Sequence, residues 1–325
     1  MNSSTIKYSI IIPVFNEEQV IEHTYERLKI VMDSTGETYE LLFINDGSRD
    51  STVDILKRLG ETDNHIKVID FSRNFGHQIA ITAGMDFAKG DAVIIIDADL
   101  QDPPELILEM IEKWKSGYDV VYAKRTARKG ETFFKKQTAA LFYRTLRAMT
   151  DIEIPIDTGD FRLIDRKVCE QMQNVHEKNR FVRGLVSWVG FKQTAVEYER
   201  DERYAGETKY PLKRMLKLSI DGITSFSYKP LKMANYLGVA LSSIGFIYML
   251  VVLYQKLFTK TTITGWSSII VIQLFFSGII LMMLGVVGEY IGRIYDEAKN
   301  RPLYIVRDVY SIENHTNSNT KVSTK

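Results

Sequence analysis

Two stretches without a single Asp, Glu, Lys or Arg, Met233–Gln255 and Thr261–Gly288, constrain this chain more than any other feature. Each exceeds the roughly 20 residues that a helix needs to cross about 30 Å of hydrocarbon. Only a short Lys256–Lys260 segment separates them, so they read as a helical hairpin with both outer ends on one side of a membrane. All 42 Lys and Arg and all 41 Asp and Glu lie elsewhere in the 325 residues. The formal net charge of +1 therefore averages a charged part with an uncharged one, and it argues against a partner held by bulk electrostatics such as nucleic acid. Lys229 and Lys232 precede the hairpin and Arg293, Lys299 and Arg301 follow it, against two lysines in the connecting loop. That modest bias favours a multi-pass protein of the cell membrane with a cytoplasmic globular domain and tail.

Upstream, Leu212, Leu216, Ile220 and Ile223 fall at helical spacing, with Lys213, Arg214 and Lys217 off that line. This predicts an amphipathic helix lying on membrane lipid, or an ordinary packing helix. The expected organisation is a globular domain over 1–208, interfacial helices over 209–231, a hairpin over 232–292 and a tail over 293–325, disordered from about 312. The N-terminus carries no basic segment followed by a long apolar run, so no signal peptide is expected. The single cysteine, Cys169, has no partner for an internal disulfide.

Within 1–208, apolar runs alternate with amphipathic segments. Strands are predicted over 8–15, 40–45, 66–71, 92–97 and 119–123, and helices over 17–32, 51–59, 78–88 and 104–116. This pattern describes an α/β fold, a mostly parallel sheet flanked by helices, with ligands bound beyond the carboxyl ends of its strands. The polar motifs stand at those ends. Asp97-Ala-Asp99-Leu-Gln101 follows a buried apolar run and offers two hard oxygen ligands suited to Mg²⁺ or Mn²⁺, with Gln101 as a third. Asp46-Gly-Ser48 follows the second strand, where Asp46 is not needed for helix capping and could accept hydrogen bonds from a nucleobase. Pro13-Val-Phe15-Asn-Glu17 ends the first strand. The five histidines are dispersed, with no metal-binding pair at helical spacing, and read as surface or capping residues. Neither a P-loop nor a GxGxxG run is present. The basic Arg125–Lys136 cluster is either a flap or a solvated loop.

PVFNEE, NDGSRDST, FSRNFGHQIAITAGM, DADLQDPPE and DTGDFRLIDR, in this order, resemble the family 2 glycosyltransferases of GT-A fold. More narrowly, the chain is similar to polyprenyl-phosphate hexosyltransferases such as bactoprenol glucosyltransferases and, more distantly, dolichyl-phosphate mannose synthases. The resemblance runs from about residue 7 to 305. It implies that Pro13, Phe15, Glu17 and Asp46, with Ser48 and Asp97, bind the nucleotide sugar. It further implies that Asp97, Asp99 and Gln101 form the metal site. Asp157 and Asp160 would sit where donor meets acceptor, and Arg125, Arg203 and Lys209 would grip the lipid phosphate. Arg125 thereby joins Asp157 and Asp160 as a catalytic candidate. The resemblance assigns no role to His77 or Gln78.

The implied reaction moves a hexose, expected to be glucose from UDP-glucose, to polyprenyl phosphate, with GDP-mannose as the rival donor. A phosphate monoester is largely dianionic at neutral pH, so Asp160 is expected to orient groups more than to abstract a proton. Direct attack would invert the anomeric configuration. A processive polymer synthase is disfavoured because the Gln-x-x-Arg-Trp motif is absent. A silent membrane-tethered interaction module is the reading from a different class, and the retained Asp97/Asp99 and Arg203/Lys209 pairs speak against it. A homo-oligomer is a further expectation of the resemblance.

Overall fold

A computed structural model describes residues 6–127, 158–199, 227, 229–254, 258 and 265–311. Asp157, Arg203, Lys209, most of the expected interfacial helices, most of the Arg125–Lys136 cluster and the tail from 312 lie outside the described residues. The first strand, β1 (Tyr8–Val14), is followed by α1 (Ile21–Asp33), β2 (Tyr39–Asn45), α2 (Thr52–Thr62), β3 (Ile66–Phe71), α3 (His77–Phe87), β4 (Ala92–Ile95) and α4 (Leu106–Lys115). Then come β5 (Val120–Ala127), β6 (Thr158–Asp165), α5 (Arg166–Gln173), α6 (Val182–Trp188) and β7 (Gln193–Glu199). Two long helices, α7 (Lys229–Tyr254) and α8 (Trp266–Ala298), precede a last strand, β8 (Val306–Tyr310).

The eight strands form one sheet in the order β7-β5-β6-β4-β1-β2-β3-β8. β1 pairs in parallel with β2 and β4, and β2 with β3, as the alternating pattern predicts. Every residue of β1 and β2 is buried, which is why their sequences read as continuous apolar runs. Side-chain alternation sorts them onto two faces. Ile10, Ile12, Leu41 and Phe43 join the core under α1, α2 and α4, while Ile11, Leu42 and Ile44 join the core under α3, α5 and α6. At Gly84 of α3 a Cβ would come within 2.2 Å of the buried Ile11 side chain, so a residue without a side chain sets the helix close against the sheet.

Four features differ from the sequence expectation. β6 runs antiparallel to both β4 and β5, so the sheet is mixed beyond β4. β4 stops at Ile95 and not at Asp97, which places Asp97 and Asp99 in the following turn, with Leu100 at φ 55°. Strand alternation therefore does not orient these two carboxylates; the turn does. β5 continues to Ala127, so Arg125 lies within a strand and not after one. Finally, five residues of the expected tail form β8, which pairs antiparallel with β3 and covers that sheet edge.

Pro13 illustrates how the sheet opens. The Ile96 amide donates to the Ile11 carbonyl, so residue 11 faces β4, and Pro13, two residues on, faces the same side. The β1–β4 register ends at Ile11–Ile95, so no strand there requires the N–H that proline lacks. The crevice begins where β4 stops.

The hairpin helices obey the opposite burial rule. Phe275, Leu281, Met282 and Ile294 are all more than half exposed. Phe275–Ala298 is long and apolar enough to cross a membrane, with mean hydropathy 1.8 in its most apolar stretch and none of that stretch buried. The Tyr290 hydroxyl donates to the Ser227 carbonyl, tying the far end of α8 to the residue that precedes α7.

Candidate active site

The loops that follow β1, β2 and β3 interlock at the carboxyl end of the sheet. The Asn16 amide donates to Ser48 Oγ at 2.9 Å, and the Arg49 amide donates to Asn16 Oδ1 at 2.8 Å. The Glu17 amide donates to Thr52 Oγ1, which fixes the start of the first connection against α2. Gly47 adopts φ +70°, and a Cβ there would lie 2.6 Å from the backbone of Arg73 and Asn74. Only glycine satisfies both the left-handed backbone and this close approach. Phe15 is 37% exposed at the rim, while Pro13 is buried.

Asp46 is buried and accepts hydrogen bonds from the backbone amides of Phe75 (2.6 Å) and Gly76 (2.9 Å). Burial raises its pKa, and those two amides oppose the rise. In the structure its task is thus to hold the loop between β3 and α3.

That loop delivers His77, the first residue of α3, into the crevice. His77 Nε2 lies 3.2 Å from Asp160 Oδ2 and 3.5 Å from Asp97 Oδ1. Burial alone would depress this imidazole, but Asp97 and Asp160 outweigh it and hold its pKa at about 9. Arg183, on the first turn of α6, closes the other side of Asp160. Its Nε donates to Oδ1 at 2.8 Å and its Nη2 to Oδ2 at 3.1 Å, while Nη1 donates to the Thr158 carbonyl. Gln78 Nε2 adds a bond to Oδ2 at 3.2 Å, and Gln78 Oε1 accepts from the Val182 amide.

Four donors thus converge on one carboxylate that is only 4% exposed. Burial would raise the Asp160 pKa, yet Arg183 and His77 drive it well below the carboxylate range. Such a group is a fixed anion and a poor proton acceptor. Below it Arg162, also buried, donates to the carbonyls of Gly159 and Asp160, and burial lowers its pKa to about 10. The sequence motifs give no role to His77, Gln78 or Arg183. The position of His77 just past β3 was the available signal; Arg183 left none.

Asp97 and Asp99 lie in the turn after β4, and the Gln101 amide donates to Asp99 Oδ1. Burial first, with Asp160, Asp102 and Asp99 adding to it and His77 opposing, pushes Asp97 up to about 6. A carboxylate made costly as an anion by its neighbours gains from a cation. Two half-buried hard oxygen groups are of the type that suits Mg²⁺ or Mn²⁺, which keep several positions for phosphate oxygens and water. Among the described residues no three His, Cys, Asp or Glu side chains gather around a common metal position. Arg125 points elsewhere. Its side chain is 13% exposed, donates to the Tyr198 hydroxyl and pairs with the buried Asp102, which Tyr198 also contacts. It packs against Gly159, at the start of the strand that carries Asp160.

The carboxyl ends of β1 to β4 thus bring together the exposed Phe15, a carboxylate pair and a clamped anion. Comparison with known proteins gives this arrangement its family. The profile described as Glycosyl transferase family 2 matches residues 9–173, and the GtrB C-terminal hairpin matches residues 229–294. The chain belongs to glycosyl transferase family 2. It is 73% identical over 312 residues to the uncharacterized glycosyltransferase YkcC of Bacillus subtilis, covering 96% of this chain and 97% of that protein. It is 42% identical over 304 residues to the prophage bactoprenol glucosyl transferase homolog of Escherichia coli K12, covering 94% and 99%. Among solved structures, glucosyl-3-phosphoglycerate synthase from Mycobacterium tuberculosis aligns at 18% identity with a TM-score of 0.46, over 67% of this chain and 80% of that one. That likeness is too distant to carry an inference about donor or metal. The GT-A domain is a mixed, mostly parallel sheet with flanking helices, joined to an apolar hairpin associated with the membrane.

Proposed function

We propose that this transferase moves glucose from UDP-glucose to polyprenyl phosphate at the cytoplasmic face of the cell membrane, with inversion at the anomeric carbon. The observation that carries the reading is the end-to-end similarity to the bactoprenol glucosyl transferases, which spans the crevice and the hairpin alike. Both outer ends of the hairpin belong on the side of the catalytic domain. Tyr290 binds Ser227 at one end, and the chain returns from α8 to the sheet as β8 at the other.

In this reading Phe15, Glu17, Asp46 and Ser48 receive the nucleotide, with Pro13 leaving the β4 side of the pocket open. Asp97 and Asp99, with Gln101 beside them, hold the divalent cation. When bound, that cation supplies charge neutralisation to the departing diphosphate. An oxygen of the acceptor phosphate forms the new bond to the anomeric carbon as the bond from that carbon to the UDP oxygen breaks. The bonding pair leaves with UDP. No proton has to be removed from a largely dianionic phosphate.

This chemistry suits a clamped Asp160, whose task is to fix Arg183, His77 and Gln78 around the reacting centre. Arg203 and Lys209 supply the cationic grip on the acceptor, Asp157 is assigned to the meeting point of donor and acceptor, and Arg125 packs against Gly159. The test is a donor panel. Detergent-solubilised protein is given undecaprenyl phosphate with labelled UDP-glucose or GDP-mannose, with and without Mg²⁺ or Mn²⁺. Label should enter the lipid fraction from UDP-glucose and only with the cation; transfer from GDP-mannose alone would replace glucose by mannose.

A further inference from the structure

β8 and the residues before it touch the loops of the donor side and nothing of the reaction mechanism above requires them. The loop over 72–74 is exposed, yet it is attached at both ends. On the crevice side Asp46 holds the amides of Phe75 and Gly76. On the outer side the Ser72 amide donates to the Ile305 carbonyl at 3.0 Å, and Arg307 Nη2 donates to the Ser72 carbonyl at 2.9 Å. The Tyr304 ring stacks on Phe71 at 5.2 Å between centroids, and its hydroxyl donates to Asp86 of α3. Phe71 in turn meets Phe75 edge to face at 5.6 Å.

A second line of contacts runs through the sheet. Arg307 Nη1 lies 3.5 Å from Asp70 Oδ2, and Asp70 is 3% exposed. Asp70 Oδ1 accepts from Asn45 Nδ2 at 2.7 Å, and Asn45 Oδ1 accepts from the Ser48 amide at 3.2 Å. Ser48 Oγ then receives the Asn16 amide. A buried carboxylate without a cation would be costly; the ion pair of Asp70 comes from the C-terminal strand, with Lys57 of α2 adding a more distant positive charge.

The geometry points to a role for Tyr304–Tyr310 as a brace of the donor site, with Tyr304 and Arg307 as positioning residues that act through Phe71 and Asp70. The segment begins six residues after α8 ends at Ala298, so the membrane hairpin and the nucleotide loops are joined by a short tether. The same segment fixes the Asp70–Asn45–Ser48 line and the 72–76 loop on which Asp46 and His77 depend. The donor side of this proposal rests on the nucleotide pocket of the proposed function.

The test uses the full chain in detergent with Tyr304→Ala, Arg307→Ala and Arg307→Lys. Arg307 is more than half exposed on its side chain, so its removal leaves the core intact. Hydrogen exchange reads the brace directly and UDP affinity reads its consequence. Both alanine variants should lose protection at the amides of Ser48, Phe75 and Gly76, while the β1 and β4 amides keep theirs. UDP should bind about fivefold more weakly to Arg307→Ala, as expected for loss of a partly exposed ion pair and its hydrogen bond. Arg307→Lys should recover part of that affinity, and the KM for the lipid acceptor should not move. Unchanged exchange at those three amides in both alanine variants would overturn the brace. Lost protection in a protein whose parent form fails to bind UDP would sustain the brace and overturn the donor assignment instead.

Discussion

The sheet and the hairpin bury their apolar residues in opposite senses. Ile11, Ile94 and Phe43 are fully buried among helices and strands, whereas Leu281, Met282 and Phe275 of α8 stand more than 60% exposed. A helix of this length with apolar side chains outward is stable only where the surroundings are themselves apolar. Polar groups divide the same way. Side chains of the crevice are tied by networks such as the four donors on Asp160, while α8 carries no charge until Glu289. The molecule is thus built for two solvents, a division that the proposed transfer between a water-soluble donor and a membrane-soluble acceptor would use.

The largest effect is expected on the crevice side. Asp97→Ala or Asp99→Ala should lower transfer on the order of 10³-fold if the proposed cation neutralises the leaving group there, a contribution of several kcal/mol. Their thermal unfolding should remain close to that of the parent chain. A paired substitution then sets the two regions against each other. Leu281→Arg places a charge in the hairpin at about 3 kcal/mol and should reduce the fraction that resists carbonate extraction, with little change in the stability of the sheet. Ile11→Ala should do the reverse, costing about 2–5 kcal/mol of folding stability while membrane retention holds. Equal responses of both assays to both variants would erase the distinction.

Arg183→Met is the next step down. It removes two charge-assisted hydrogen bonds from Asp160, so kcat should fall roughly tenfold to a hundredfold. UDP affinity should change less than kcat, because Arg183 bonds Asp160 and the Thr158 carbonyl and reaches the 72–76 loop through His77. Arg183→Lys should restore part of the rate. A loss confined to UDP affinity would show that the clamp serves the donor and not the reacting centre.

The smallest effect lies at the opposite end of the sheet, at Asp63. Burial alone would raise its pKa, but Lys29, the His65 amide and the Tyr25 hydroxyl together bring it below the ordinary value. Its folded pKa is lower than its unfolded one, so the stability it provides is present at neutral pH and is lost as pH falls through the acid range. Asp63→Asn should cost about 1–3 kcal/mol at pH 7. The gap to the parent chain should narrow below pH 4, measured by thermal unfolding.

Much of this architecture was legible in the sequence because the physics was local. Apolar runs alternating with amphipathic helices set β1 to β4 and their helices, and the rule that ligands bind past the strand ends pointed to Asp46, Asp97 and Asp99, whereas Asp160 came from the family resemblance. What escaped was non-local. The direction of β6 cannot be read from its own apolar run, since the same run serves a parallel or an antiparallel neighbour. β8 is a five-residue segment, Val306-Arg-Asp-Val-Tyr310, that carries two charges and gains its structure only by covering the edge of β3. His77 and Arg183 lie 83 and 23 residues from Asp160, so only the fold could reveal that they share one carboxylate.

The central claim is that one chain carries a sugar from a soluble nucleotide to a phosphate embedded in lipid. The most direct measurement follows radiolabel from UDP-glucose in vesicles reconstituted with the full chain, with and without undecaprenyl phosphate. The account predicts label in the lipid phase only when the phosphate is present, as a β-linked glucosyl phosphate, with UDP released in equal amount. UDP release that is indifferent to the lipid, with no label leaving the aqueous phase, would contradict it.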